Sequence, residues 1–219
     1  MKSVKILFLG LLICLFDSCT PSISNVISAM KPAEAVIMRE DGSYSKVLPI
    51  REAFSQLGSN EKLYLATGRV ELTEPLELND LDNIQIIGNK TALVAKIDMP
   101  VVTIKGGNNI FMTDLLVVHE IGEWCAQNCV EFYSSSDLKI TNCKFDGSGY
   151  FGLALSGVTT AIIENNLFYN CEYGLAAWNS SGLAVKGNGF SKNRNLDIMV
   201  NEKGQFSNDF MKENTFEDK

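Results

Sequence analysis

Residue types able to do chemistry are sparse in this chain and concentrate in one stretch. Val118-His119-Glu120-Ile121-Gly122-Glu123-Trp124-Cys125-Ala126-Gln127-Asn128 holds the only histidine, two glutamates and one of the 2 tryptophans. A neighbouring carboxylate favours the charged form of an imidazole, so His119 with Glu120 or Glu123 makes a candidate acid–base pair. The same residues also fit a polar loop whose Trp124 packs back onto the fold, because one histidine without a partner base makes a thin active site. Two further aromatics have binding character. If Leu175 and Ala177 point inward, alternation puts Ala176 and Trp178 outward, and Tyr150 precedes the matching turn one repeat earlier. Exposed Trp and Tyr can stack on the CH-rich face of a sugar ring, although single surface aromatics are common. The candidate binding set is therefore His119, Glu120, Glu123, Trp124, Tyr150 and Trp178, and no residue is assigned as catalytic. If the loop binds, its four members are expected together on the outer face, beside Trp178 or Tyr150.

Other chemistries find little material. Asp114, Asp137, Asp146 and Asp197 occupy different points of the repeat described below, so two carboxylates at glycosidase spacing are not evident. One histidine and irregular cysteine spacing match no zinc-ligand pattern, and neither a metal nor another cofactor is expected. Cys125 and Cys129, four residues apart, admit a small disulfide in an exported protein. Cys143 and Cys171 read instead as free buried thiols.

The elements that must position these residues announce themselves through a repeat. Asn142-Cys143-Lys144-Phe145, Asn165-Asn166-Leu167-Phe168 and Gly187-Asn188-Gly189-Phe190 stack with their phenylalanines 23 and 22 residues apart. Before each comes a run with strand alternation: Leu138-Lys139-Ile140-Thr141, Ala161-Ile162-Ile163-Glu164 and Leu183-Ala184-Val185-Lys186. Ile84-Gln85-Ile86 and Ile110-Phe111-Met112 extend the register upstream, and Phe210 to Phe216 extends it downstream, giving about six coils that need one another to bury their apolar faces. Inward columns of aliphatic residues, a Phe145/Phe168/Phe190/Phe216 stack and an Asn166/Asn188/Asn214 ladder follow from that register. An outward column of Phe111, Ile162, Ala184 and Phe210, interrupted by Lys139, is apolar enough to suggest self-association. Ahead of the repeats, Pro49, Ile50, Ala53, Phe54 and Leu57 have helical spacing with Gly58 as the stop, which suits a helix laid over the open end of a solenoid.

The capping helix, Leu63-Tyr64-Leu65-Ala66-Thr67-Gly68-Arg69-Val70, Asn83-Ile84-Gln85-Ile86-Ile87-Gly88 and the Asn-x-x-Phe repeats together resemble the pectin-lyase-like superfamily. The resemblance runs from about Val36 onward. It implies an all-β fold, a right-handed parallel β-helix of about six coils with an N-terminal capping α-helix. The superfamily includes lyases, hydrolases and non-catalytic repeat proteins, and the repeats of this chain resemble those of carbohydrate-binding proteins and sugar hydrolases.

At the other end, Lys2 and Lys5, the apolar run from Ile6 to Phe16 and then Ser18-Cys19 resemble a bacterial lipoprotein signal. That resemblance implies diacylglycerol on Cys19 after cleavage behind Ser18, with plain secretory cleavage near Ile27-Ser28-Ala29 as the alternative. The expected division is a signal peptide at 1–18, a tether at 19–34 and one β-helix domain at 35–219, in the cell envelope as a membrane-anchored lipoprotein or secreted. The 19 basic against 26 acidic residues leave a formal net charge of −7, which argues against nucleic acid and anionic lipid surfaces as partners. The membrane is then reached through the lipid anchor only. A module that binds glycan or serves a structural role at the cell surface is the expected function. A lyase or hydrolase on acidic polysaccharide is the competing one. Because no second capping helix follows Phe216, weak end-to-end homodimerisation is also expected.

Overall fold

The structure, a computed structural model, describes residues 22–200 and 210–217. The expected signal peptide and Cys19 lie outside the described residues. Strand alternation at repeat spacing produces a right-handed β-solenoid of about six turns. Each coil lays down strands on three faces, and every strand on a face pairs in parallel with its counterpart one coil away. The first face holds Lys62–Leu65, the first parts of the long strands Ile84–Ala95 and Asn108–His119, then Ser136–Thr141, Thr159–Glu164 and Ser181–Lys186. Gly68–Leu72, the second parts of the long strands, Lys144–Asp146, Leu167–Tyr169, Gly189–Ser191 and Thr215–Phe216 make the second. The third, which carries the site discussed below, is Leu76–Asn79, Val102–Lys105, Val130–Tyr133, Phe151–Ser156, Tyr173–Trp178 and Leu196–Val200.

Period-2 alternation sends Leu138/Ile140, Ala161/Ile163 and Leu183/Val185 into one core in the expected columns. Behind them the rings of Phe145, Phe168, Phe190 and Phe216 stack face to face at 5.1, 4.8 and 5.1 Å. Spacing near one strand separation places each ring directly over the last. The corner between first and second faces is turned by Asp114, Asn142, Asn165 and Gly187, all left-handed with φ of 57°, 53°, 58° and 66°. Asn and Asp tolerate that conformation and Gly occupies it without strain. The next residue forms the expected ladder: Asn166 Nδ2 donates to Asn188 Oδ1 at 3.0 Å, and Asn188 Nδ2 to Asn214 Oδ1 at 2.9 Å. The same oxygens accept backbone N–H groups of Asn166 and Asn188, so the buried corner keeps its polar groups paired.

The helix Ile50–Gln56 forms as expected and buries Ile50, Ala53 and Phe54 against the first coil. It is joined by a device the repeat pattern does not reveal. Glu34–Met38 runs antiparallel to Lys62–Leu65, with Leu48–Pro49 outside it, and so saturates the first-face edge of the stack. Two other segments depart from expectation. Within the expected tether, Ile23–Ala29 is a short helix whose Ile23, Val26 and Ile27 are half-buried, at the i, i+3, i+4 spacing of an amphipathic face. Phe210–Glu213, expected to continue the strand register, is a helical turn before Thr215–Phe216. Met, Lys and Glu favour helix, and no β-branched residue opposes it. Of the apolar outward column, Phe111, Lys139, Ile162 and Ala184 do fall in register.

Candidate functional site

Adjacent residues of a strand point to opposite sides, and this separates the members of the expected loop site. Leu115, Val117 and His119 form the inward set of their strand, leaving His119 only 2% exposed. Its Nε2 lies 3.3 Å from the Asn128 carbonyl oxygen and its Nδ1 has no partner. Burial is the main cause that holds its pKa below the usual value, against the opposing pull of the Asn128 carbonyl and Asp98. Glu120 points outward and is bound by Arg69 and Lys96, which also meet Glu71 in an exposed four-charge cluster. His119 is therefore inside the coil and not on the outer face with Glu120, while Glu123 is exposed on the turn Gly122–Trp124. Trp124, at the end of the 3-10 turn Gly122–Trp124, does not pack back onto the coils and is 82% exposed.

The expected Cys125–Cys129 disulfide is likewise not formed. Both are buried free thiols, as are Cys143 and Cys171. Their sulfurs occupy separate backbone niches: Cys125 Sγ accepts the Gly149 N–H at 2.7 Å, while Cys129 Sγ donates to the Asp146 carbonyl at 3.6 Å. Burial pushes the thiol of Cys143 up to about 12 and that of Cys129 well upward, which keeps both unreactive.

Tyr150 and Trp178 line one pocket, with side chains outside the candidate set between them. On the outward side of the third face, Glu131, Ala154, Ala176 and Met199 follow one another coil by coil, and Tyr133, Ser156 and Trp178 run alongside. The two alanines carry no bulk beyond Cβ, so aromatic rings can lie over them. Phe151 packs on Tyr173 at 5.2 Å and on Trp178 at 5.6 Å, and Tyr150 meets Tyr173 edge-on at 6.1 Å. Ala154, Ala176 and Phe151 are thereby buried in a second apolar cluster outside the coil, with Tyr173, Trp178 and Met199 partly covered.

At the head of the alanine column sits a buried carboxylate. Glu131 accepts hydrogen bonds from Thr103 Oγ1 at 2.8 Å, Asn128 Nδ2 at 2.8 Å and Tyr133 Oη at 3.1 Å. Burial and this adjacent carboxylate push the Tyr133 phenol up to about 12, so it stays protonated and donating. Asn128 Oδ1 in turn accepts the Phe151 N–H at 3.2 Å. Asn128, Tyr133, Tyr150, Phe151, Trp178 and Met199 enclose a pocket of about 220 Å³. A larger hollow of about 620 Å³ follows the corner between the first and second faces, past Asp114, Asn142, Lys144 and Asn165. Its asparagines and aspartate are the left-handed corner residues, and the Lys144 ammonium is engaged by Asp146 and the Tyr169 ring.

Glu131, Tyr133 and Asn128 carry a signal the sequence reading did not use. Val130 and Phe132 are inward, so Glu131 and Tyr133 must be outward, in register with the column that holds Trp178.

A family model described as "Right handed beta helix region" matches residues 101–219. A crystal structure of a chain from Parabacteroides merdae, provisionally described as a glycosyl hydrolase, is similar with a TM-score of 0.53. The two are 14% identical, and the match covers 75% of this chain and 83% of that one. No curated protein matches the sequence.

Proposed function

This chain belongs to the right-handed β-helix family, and on that footing we propose that it is a carbohydrate-binding module of the cell envelope that engages glycan through the third face. One observation carries the reading: Tyr150, Tyr173 and Trp178 gather around the buried Phe151 in a contiguous aromatic cluster beside a buried, hydrogen-bonded carboxylate. Such clusters offer ring faces to the CH groups of a sugar, and phenolic oxygens to its hydroxyls. Each neutral hydrogen bond of this kind contributes about 0.5–1.5 kcal/mol net, so the rings supply most of the affinity and the polar groups supply orientation. The Parabacteroides neighbour's description as a glycosyl hydrolase is consistent with a glycan-related role.

A glycosidase would need two carboxyl groups about 5–9.5 Å apart across the scissile bond. The pocket's lining includes no carboxylate, and Glu131 behind it already accepts from three donors. Both facts favour retention over cleavage. The test is to incubate the purified domain with a panel of polysaccharides, following retention on each glycan and the appearance of new reducing or unsaturated ends. Retention without new ends is expected, and new ends in proportion to protein would establish the lyase or hydrolase instead.

A further inference from the structure

Resting on the glycan-binding reading above, the geometry points to a pocket that takes one neutral pyranose ring, the terminal or branching unit of a glycan, and not an extended acidic chain. Size is the first argument. The pocket volume of about 220 Å³ lies below the ~300–1,000 Å³ of sites for drug-sized ligands. That accommodates a single six-membered ring with its hydroxyls.

The walls are the second argument. The base is Phe151, 2% exposed and packed on Trp178 at 5.6 Å, with Ala154 and Ala176 buried in the same apolar cluster. Along the solenoid axis the lining runs from Asn128 and Tyr133 at one end to Met199 at the other. Above Phe151, Tyr150 rises to 45% exposure and Trp178 is half-buried. A linear chain running along the coils would have to climb over Met199 or Tyr133, whereas a chain end can enter from above.

Charge is the third. The lining residues include no cation, and the carboxyl group of Glu131 lies behind them. A uronate would find no cation among the lining residues to pair with, and would face the Glu131 carboxyl group. Because Tyr133 Oη gives its proton to Glu131, it turns its lone pairs toward the pocket and calls for a hydroxyl donor on the ligand.

The experiment is competition. With the domain held on whichever polysaccharide retains it, neutral methyl hexopyranosides and the corresponding methyl hexuronosides are added at matched concentrations. At least one neutral monosaccharide is expected to release the domain at millimolar concentration, with its uronate at least tenfold weaker. Release only by oligosaccharides of several units, or by uronates as readily as by neutral sugars, would overturn the single-ring inference while leaving glycan binding intact. Absence of retention on every polysaccharide would overturn both.

Discussion

Protonation of His119 would place a cation where the fold provides the Asn128 carbonyl for Nε2 and no partner for Nδ1. Its folded-state pKa is lowered, chiefly by burial, so the native protein holds the neutral ring while the unfolded chain takes up a proton near the ordinary 6.5. The stabilisation from this residue is thus complete above about pH 6.5 and is lost as pH falls toward the depressed folded value. Thermal midpoints measured from pH 7.5 to 5 should decline more steeply for the wild type than for His119→Gln; parallel profiles would remove His119 from the account. The residue also marks what single positions reveal in sequence. Alternation through Leu115 and Val117 places its side chain in the interior, whereas the expectation of an outer-face pair rests on adjacency to Glu120, and neighbours on a strand diverge. Trp178 was legible for the converse reason, because Leu175 and Ala177 fixed its side. Glu131 was not recognised, because a lone glutamate between Val130 and Phe132 looks like ordinary strand surface until Asn128 and Tyr133 are seen to close around it.

Elements in this molecule are columns, and a column's strength depends on how many neighbours each member has. Phe168 is covered on both sides by Phe145 and Phe190, whereas Phe216 is half-buried and stacks on Phe190 alone among the described residues. Phe168→Ala should lower the unfolding free energy by about 3–5 kcal/mol and Phe216→Ala by clearly less, as read from urea denaturation. Equal losses would contradict the stack. These columns were visible in the sequence because each coil repeats the same residue at nearly the same interval. The antiparallel cap was not, for a physical reason: Ala35, Val36 and Ile37 are all buried, so the strand Glu34–Met38 has no alternation to detect. The helical turn Phe210–Glu213 was missed because two aromatics six residues apart imitate the repeat while local propensity favours helix.

At the scale of the whole molecule, the solenoid divides its labour by face. The first and second faces carry the corner ladder and exposed ion pairs such as Glu164 with Lys139 and Lys186, at 3.5 and 3.4 Å. The third carries the aromatic surface. A net charge of −7 disfavours anionic polymers electrostatically, which accords with the neutral ligand proposed above. If Cys19 bears the proposed lipid, Cys19→Ser should move the protein from the membrane fraction to the soluble fraction, and unchanged partitioning would leave plain secretion as the route.

The most direct test of the account uses the two tryptophans, one exposed on the inserted loop and one at the pocket. In a Trp124→Phe variant the remaining emission reports on Trp178 alone, and titration with the retained glycan should change it saturably while glycan retention stays as in the wild type. Trp178→Ala should weaken retention at least tenfold with an unchanged unfolding transition. Retention that survives Trp178→Ala, with no change in Trp178 emission on titration, would contradict glycan binding at the third face.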